Sequence, residues 1–200
     1  EHLGEVGYEV VSDSVFSKIS DTCTPQGVLC VLKQFHYNIE EMLRDKAPLF
    51  LLLENIQDPG NLGTMLRTGE GAGVSGIIMS RDTVDLYNPK VIRSTMGSIY
   101  RVPFYYADDF AAAVHQVQQA GVSVYAAHLR GKNSYACQDY TKGTAFLIGN
   151  EGNGLREETA ELADCYIRIP MEGKVESLNA AVASSILMYE AHRQRATIEK

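Results

Sequence analysis

The stretch Leu147-Ile148-Gly149-Asn150-Glu151-Gly152-Asn153-Gly154-Leu155 decides the fold of this chain. It continues an apolar run from Thr144, which is typical of a buried strand. Three glycines and one carboxylate then occupy the turn in which that strand ends. Because ligands in open α/β sheets bind outside the carboxyl ends of the strands, this turn predicts one wall of a pocket lined by backbone.

Two other loops follow predicted strands in the same way. Ile169-Pro170-Met171-Glu172-Gly173 ends a strand that begins at Cys165, and Ser177-Leu178-Asn179 then opens a long helix with an apolar face. The segment 55–68 follows the continuous apolar strand Leu49–Leu53. Glycine-punctuated loops at neighbouring strand ends predict a concave pocket whose backbone N–H and C=O groups suit a flat, polar small molecule.

Uninterrupted apolar strands separated by helices predict an α/β domain, residues 48–200, whose mostly parallel sheet is covered by helices on both faces. The predicted strands cover residues 49–53, 76–79, 102–105, 122–126, 145–148 and 165–169, and the predicted helices cover residues 60–69, 89–96, 108–120, 156–162 and 178–195. The first 47 residues differ, with predicted strands at 7–12 and 27–32, a turn between them, and a linker or short helix at 37–45.

Composition excludes several classes of protein. The chain has 200 residues, 45% of them hydrophobic, which is enough for one domain with a sizeable core. Its apolar runs are too short for a membrane span, and its polar first residues do not predict a signal peptide. The four cysteines have no CxxC spacing and the five histidines no metal-ligand spacing, so we expect no metal site, no disulfide and a reducing, cytoplasmic location.

The net charge of −7 argues against nucleic-acid binding driven by positive charge over the whole chain. Any contact with nucleic acid must come from a local patch or from residues outside this chain. Gly71-Ala72-Gly73-Val74-Ser75-Gly76 matches the dinucleotide-binding pattern GxGxxG, but a predicted helix precedes it and a strand follows it. That order is the reverse of the one that binds a pyrophosphate, so we interpret the segment as a helix stop and a tight turn.

The segment 55–68 carries candidate site residues. Asp58 or Asn61 can cap the helix that follows, and Gly60 and Gly63 permit close approach of the backbone. Arg67 stands in an otherwise apolar and small-residue helix. Because a guanidinium stays charged and binds phosphate with two hydrogen bonds, we expect Arg67 to bind an anion.

These loops resemble the three signature motifs of the SpoU-type RNA 2′-O-ribose methyltransferases, a family of the SPOUT superfamily. The matching segments are Asn61-x-Gly63-x-x-x-Arg67, Gly149-Asn150-Glu151-Gly152-x-Gly154-Leu155, and Ile169-Pro170-Met171-x-Gly173-x-x-x-Ser177-Leu178-Asn179, with a further match at 88–98. The resemblance covers residues 48 to 195 in order. The segment before Pro48 resembles the tail of a small α+β N-terminal domain that recognises the substrate in many members.

The resemblance implies properties that composition does not show. Members have a C-terminal trefoil knot, form homodimers through the knot region and the closing helix, and bind S-adenosylmethionine in the knot loops. It assigns cofactor binding to Leu147, Gly149, Ile169, Met171 and Leu178. It assigns the reacting centre to Asn61, Arg67, Glu151, Ser177 and Asn179.

The implied chemistry is attack of a ribose 2′-hydroxyl on the cofactor's methyl group. The family's arginine is often given the role of base, but a guanidinium resists deprotonation, so we expect Arg67 to hold the adjacent phosphate. Glu151 is expected to orient Arg67 or Asn61, and Ser177 also suits the N-cap of the closing helix.

Several alternatives remain open from the sequence. Ribosomal RNA is the first choice of substrate and transfer RNA is the second. A non-catalytic RNA-binding or assembly factor on the same fold is a third possibility, which the intact Asn61, Arg67, Glu151 and Asn179 disfavour. A fourth keeps the enzyme but moves the methyl group to a base.

Overall fold

The computed structural model describes residues 7–20 and 22–198. The chain folds as two compact units, Glu1–Phe35 and His36–Lys200. No helix among the described residues is long and apolar enough to cross a bilayer.

The second unit is built on a seven-stranded sheet in which every neighbouring pair of strands is parallel. The strands are β1 Leu49–Leu53, β2 Gly76–Ser80, β3 Phe104–Ala107, β4 Ser123–Ala127, β5 Asn133–Ser134, β6 Thr144–Ile148 and β7 Cys165–Arg168. Their spatial order is β3-β2-β1-β6-β4-β7-β5. The predicted parallel α/β sheet is confirmed, and β5 is a short strand that the sequence pattern did not indicate.

Seven α-helices occur in the described residues. They are α1 Asp13–Ile19, α2 Ile39–Met42, α3 Pro59–Ala72, α4 Pro89–Thr95, α5 Phe110–Gln119, α6 Glu157–Ala160 and α7 Ala180–Ile198. Short 3-10 turns lie at Ser98–Tyr100 and Tyr135–Cys137. All five helices predicted after residue 48 are present.

Helices cover both faces of the sheet because the side chains of each strand alternate between two apolar cores. Leu49, Leu51 and Leu53 of β1 join a core that includes side chains of α3, α4 and α7. Phe50 and Leu52 point the other way, into a core that includes side chains of α2, α5 and α6. All five β1 side chains are fully buried, which explains why the strand reads as a continuous apolar run.

The GxGxxG segment ends a helix, as predicted. Gly73 has a left-handed φ of 77° directly after α3, and its N–H donates to the carbonyls of the last helical turn. The chain then turns into β2. No helix begins there, so no helix N-terminus faces a phosphate.

Arg195, near the end of α7, is held by backbone carbonyls. Its guanidinium donates to the carbonyl oxygens of Ala47 and Pro48, just before β1, and of Tyr140 and Lys142, just before β6. Burial lowers the pKa of this guanidinium. No carboxylate among the described residues forms an ion pair with it. The last helix is thereby fastened to the entrances of two neighbouring strands.

The strands predicted at residues 7–12 and 27–32 are wrong. In the described residues of the first unit the regular element is α1, which buries no side chain. Val10 and Val31 are 88% and 90% exposed. Residues of high strand propensity form a strand only where a neighbouring strand pairs with them, and the described part of this unit contains no such partner.

Residues 36–47, which the sequence pattern grouped with the N-terminal segment, lie in the second unit. The predicted short helix is present as α2, capped by the Asn38 side chain, which accepts from the Glu40 N–H at 2.8 Å. Ile39 and Met42 are buried in the same core as Phe50.

Candidate active site

Two of the three loops named above meet where β1 and β6 end side by side. Leu53 of β1 is in register with Ile148 of β6, and the next N–H, that of Glu54, donates to the Ile148 carbonyl at 2.9 Å. The loop after β1 therefore starts against the loop after β6. This is the carboxyl edge of the sheet, at which the sequence predicts the pocket.

Asn150 holds the glycine loop in its shape. Its backbone exchanges two hydrogen bonds with Gly154, at 3.1 and 2.9 Å, and its side-chain oxygen accepts from the N–H groups of Gly152 and Asn153. Its side-chain amide donates to the carbonyl of Asn55 at 2.8 Å. One side chain thus closes the loop and fastens it to the end of β1.

Gly149 allows the loop to fold back on itself. A Cβ at this position would lie 2.2 Å from the Leu155 nitrogen and 2.3 Å from the Gly154 carbonyl carbon. Real Cβ atoms do not approach backbone so closely. The glycine is required by close packing of the loop on its own backbone.

Glu54 is a buried carboxylate that holds the C-terminal end of the glycine loop. This carboxylate is only 2% exposed, yet it accepts hydrogen bonds from the Arg156 N–H at 2.8 Å and from the Thr159 hydroxyl at 2.5 Å. The Arg156 guanidinium lies 3.8 Å from it and also pairs with Asp82. A buried carboxylate is stable only when it is paired and hydrogen-bonded, so Glu54 fixes where α6 and the loop end lie.

Glu151 links the glycine loop to the start of α3. Its two carboxylate oxygens accept from the backbone N–H groups of Gln57 and Asp58, both at 3.1 Å. One of them also accepts from the side-chain amide of Asn61 at 3.0 Å. Asp58 caps α3 by accepting from the Asn61 N–H at 2.7 Å, which leaves the Asn61 side chain free for the site.

These contacts keep Glu151 ionised. Burial of its carboxylate opposes ionisation, but the hydrogen bonds from the Asn61 side chain and from backbone N–H groups outweigh it and lower its pKa. A carboxylate with a lowered pKa is a weak base. Glu151 is therefore suited to positioning its neighbours rather than to accepting a proton.

The Asn179 side chain completes a chain of three polar side chains. Its amide donates to the side-chain oxygen of Asn61 at 3.0 Å, so the order is Asn179, Asn61, Glu151. Its own oxygen caps α7 by accepting from the N–H groups of Ala181 and Val182. The prediction that Ser177 caps this helix is wrong, because Asn179 occupies that position.

A cavity of about 410 Å³ lies beside this network, within the size range typical of small-molecule sites. Gly149, Ile169, Met171 and Leu178 line it, as do Glu151 and Ser177. Leu147 does not, because its side chain is fully buried in the core on the α5 side of the sheet. The expectation that Leu147 lines the pocket is therefore wrong, and Ile148, which points the other way along β6, takes that place.

The loop after β4 adds polar residues that the sequence did not indicate. His128 and Arg130 line the cavity, and the Arg130 guanidinium pairs with Glu157. Burial, together with the charge of Arg130, lowers the pKa of His128. Its Nδ1 accepts from the Arg130 N–H at 3.2 Å, which fits a neutral imidazole with its proton on Nε2.

Arg67 stands apart from the cavity. Its side chain is exposed and does not line the cavity. It makes no ion pair or hydrogen bond within residues 7–20 and 22–198. Arg67 lies six residues, or about 1.7 turns, beyond Asn61 on α3. Of the two partners expected for Glu151, the structure provides Asn61 and not Arg67.

Sequence reasoning missed Glu54, Asn150 and the β4 loop. Glu54 carried a usable signal, because a lone acidic residue directly after five buried apolar residues must find partners. Asn150 carried a weaker one, since asparagine commonly bonds backbone N–H groups two residues onward. No group of three or more His, Cys, Asp or Glu side chains in the described residues is placed to hold a metal.

Comparison with known proteins gives a consistent result. The family model described as the SpoU rRNA Methylase family matches residues 48–189. The chain is 35% identical over 180 residues to the 23S rRNA (guanosine(2553)-2'-O)-methyltransferase RlmP of Bacillus subtilis, covering 90% of this chain and 70% of that protein. It is 33% identical over 184 residues to the 23S rRNA (guanosine-2'-O-)-methyltransferase RlmB of Ralstonia nicotianae, covering 90% of this chain and 74% of that one.

Among solved structures, the AdoMet-bound rRNA methyltransferase from Sinorhizobium meliloti superimposes with a TM-score of 0.82 at 36% identity, over 91% of this chain and 70% of that chain. The parallel sheet and the three motif loops thus define an RNA-methylating enzyme of the α/β class. This chain belongs to the SpoU rRNA methylase family, which confirms the resemblance drawn from the motifs.

Proposed function

We propose that this protein transfers the methyl group of S-adenosylmethionine to a ribose 2′-hydroxyl of large-subunit ribosomal RNA. The observation that carries the proposal is the hydrogen-bonded series Asn179–Asn61–Glu151, because it joins one residue from each of the three motif loops. The names of the relatives from Bacillus and Ralstonia support both the ribose position and the 23S RNA.

The cavity residues suit the methyl donor. Gly149, Ile169, Met171 and Leu178 present backbone groups and apolar side chains to one space. This combination fits a molecule with a flat heterocycle, a ribose and a short polar chain. The AdoMet-bound relative from Sinorhizobium, which has the same fold, supports this cofactor.

The bound cofactor supplies a methyl group on a positively charged sulfur, which is already an activated electrophile. The chain's own residues must therefore align the 2′-hydroxyl with that group and exclude other geometries. Glu151 orients the Asn61 amide, and Asn61 in turn binds Asn179 at the start of α7. This hydrogen-bonded polar edge beside the cavity is where we place the ribose.

Arg67 is assigned to the phosphate next to the target ribose. Its guanidinium is exposed and has no internal partner among the described residues, so it is available to an external anion. A guanidinium is too weak an acid to serve as a base near neutral pH. We therefore assign it a clamping role, and Ser177, exposed at the rim of the cavity, a contact with the bound ligands.

The finer features of the fold belong to the same proposal. We propose a trefoil knot in the C-terminal part and a homodimer formed through the knot region and α7. Two half-exposed apolar side chains on α7, Val182 and Tyr189, support an interface on that helix. We also propose that the N-terminal segment is part of a substrate-recognition domain. The four free cysteines fit a cytoplasmic location.

Transfer RNA is the second candidate substrate. A solved relative described as "Structural insights into the 2-OH methylation of C/U34 on tRNA" is 32% identical, with a TM-score of 0.70, over 76% of this chain. Ribosomal RNA is favoured because the 23S enzymes match about 90% of this chain.

Mapping of 2′-O-methylation in cellular RNA with and without this protein tests the proposal. We expect one ribose of the large ribosomal RNA to lose its methyl group when the protein is absent. Loss at a tRNA ribose would select the second candidate, and loss at a base would contradict ribose transfer. An unchanged methylation map with intact cofactor binding would support the non-catalytic RNA-binding factor instead.

The Arg67→Ala variant tests the assigned clamp. Since the Arg67 side chain is exposed and makes no ion pair or hydrogen bond in the described residues, its removal should leave the free energy of unfolding within about 0.5 kcal/mol of the wild type. Cofactor affinity should also stay unchanged, while methyl transfer falls below detection. Wild-type turnover by this variant would remove Arg67 from the mechanism.

A further inference from the structure

The segment 86–107, which contains α4, carries positive charge in an otherwise acidic chain, whereas α3 has one cation, Arg67, and one carboxylate, Glu70, which pairs with Arg101. Residues 86–107 contain Lys90, Arg93 and Arg101 but no aspartate or glutamate, and residues 59–69 contain Arg67 and no acidic residue. The chain as a whole has 25 acidic and 18 basic residues. This pair of segments therefore departs from the charge balance of the rest of the sequence.

Three of these cations are free of internal partners, in contrast to most of the arginines. Five arginines pair with carboxylates and one binds backbone carbonyls: Arg81, Arg101, Arg130, Arg156, Arg193 and Arg195. In the described part of the chain, the side chains of Arg67, Lys90 and Arg93 make no ion pair or hydrogen bond, and all three are exposed. Their charges are therefore available to an outside anion.

Close packing of the two helices places Arg67 beside α4. A Cβ on Gly63 would lie 1.7 Å from the Ser94 hydroxyl oxygen, so the helices touch at this point. Arg67 is one turn beyond Gly63 on the same side of α3. One turn further, Glu70 accepts from the Ser98 hydroxyl at 2.6 Å. Arg67 thus lies between two contacts with the chain segment that contains α4.

Lys90 and Arg93 lie on the outer side of α4. They are three residues apart, which puts them on neighbouring positions of one helical face. Val91, by contrast, is fully buried against the core. The two exposed cations and Arg67 therefore occupy the outer surface of one packed helix pair, and Asn61 lies in the first turn of α3.

We propose that Arg67, Lys90 and Arg93, here called the α3–α4 cation surface, bind consecutive backbone phosphates of the RNA that flanks the target nucleotide. The proposal rests on the function proposed above and extends the phosphate contact of Arg67 along the strand. Arginine and lysine are the side chains that recognise phosphate, and each neutralised phosphate releases counterions. This surface supplies the local positive patch that a chain of net charge −7 requires.

A double substitution, Lys90→Gln with Arg93→Gln, tests this surface. The matched control is Lys46→Gln with Lys142→Gln, which removes the same charge from exposed positions just before β1 and β6, at the opposite edge of the sheet. The probe is a fluorescein-labelled RNA stem-loop of mixed sequence, titrated at several salt concentrations. Circular dichroism and cofactor titration confirm that both variants are folded.

We expect the test variant to bind the RNA roughly ten- to a hundredfold more weakly at low salt than the control. The slope of log K against log salt should fall by about 2, one for each lost phosphate contact, while the control keeps the wild-type slope. Equal affinities and slopes for the two variants would overturn the cation surface as an RNA site. So would loss of affinity with no change in the salt slope, because phosphate contacts always release counterions.

A failure of the α3–α4 cation surface as an RNA site is distinguishable from a failure of the proposed function. If the test variant keeps full RNA affinity and the wild type still methylates a ribose, the surface is wrong and the enzyme assignment stands. If the wild type binds RNA through this surface but methylates no ribose, the surface stands and the enzyme assignment fails.

Discussion

The side-chain amide of Asn179 donates a hydrogen bond to the side-chain oxygen of Asn61, although 118 residues separate them in the chain. Asn61 uses its own amide to donate to Glu151. One neutral side chain thus accepts from one partner through its oxygen and donates to the other through its nitrogen, which fixes the orientation of the Asn61 amide. The position of the ribose depends, in our proposal, on this single bridging group.

Replacing Asn61 by Asp tests the bridge with little change in volume. Aspartate cannot donate to Glu151 and would place two carboxylates side by side, so the order of the network should be lost. A hydrogen bond to a charged group contributes about 1.5–3 kcal/mol, which corresponds to roughly ten- to more than a hundredfold in rate. Single-turnover methyl transfer measures the loss, and Asn153→Asp, an exposed neighbour in the glycine loop, is the control.

The glycine loop offers a test with an internal control. Gly149→Ala would place a Cβ 2.2 Å from the Leu155 nitrogen and force the loop open, whereas a Cβ on Gly152 would lie 3.5 Å from Asn150, an ordinary contact. We expect Gly149→Ala to lose about 1–3 kcal/mol of stability, as overpacking usually does. Calorimetric titration should show cofactor affinity reduced at least about tenfold. Equal affinities for the two alanine variants would contradict the loop as a cofactor wall.

Glu54 should behave as a positioning residue rather than a catalytic one. Glu54→Gln leaves one donor without an acceptor in a buried place, at a cost of about 1–3 kcal/mol. Since Glu54 holds Arg156 and Thr159 at the loop end, cofactor affinity should fall while kcat at saturating cofactor changes little. The exposed Glu158→Gln on the same helix α6 should match the wild type in both measurements. A loss in kcat alone would argue against the positioning role.

The lowered pKa of Glu151 predicts a dependence of stability on pH. Its pKa is below the ordinary 4.5 in the folded protein, so its contribution to stability is fully present above the unfolded value and is lost as pH falls through the folded value. The difference in unfolding free energy between the wild type and Glu151→Gln should therefore be largest near neutral pH and shrink below about pH 4.5. Urea unfolding at several pH values measures it. Glu172→Gln, which removes one exposed carboxylate from the next loop, is the control variant.

Local pattern predicted much of this molecule because the parallel sheet buries both faces of its central strands. The five consecutive buried residues of β1 and of β6 appear in the sequence as continuous or nearly continuous apolar runs, which predict buried strands. The position of Gly149 followed from the same logic, since it lies just beyond a buried strand, whereas Asn61 lies in the first turn of the helix after β1. The motif resemblance then connected them to a chemistry.

The local sequence pattern failed to predict features that depend on contacts between residues distant in the chain. Ser177 and Asn179 are both good N-cap residues, and only the folded chain shows that Asn179 takes the position while also reaching Asn61. Leu147 and Ile148 are both apolar, and only the register of β6 decides which of them faces the cavity. The segments 7–12 and 27–32, predicted as strands, have no strand to pair with in the described part of the first unit.

The anchoring of Arg195 has a consequence for how the enzyme is made. Four carbonyls at the entrances of β1 and β6 receive this guanidinium, so α7 cannot be secured until both strands are in place. The same helix begins at Asn179 and brings Leu178 to the cavity. The donor pocket is therefore completed only after β1 and β6 have paired, when α7 docks across their entrances and carries Leu178 to the cavity at the opposite edge of the sheet.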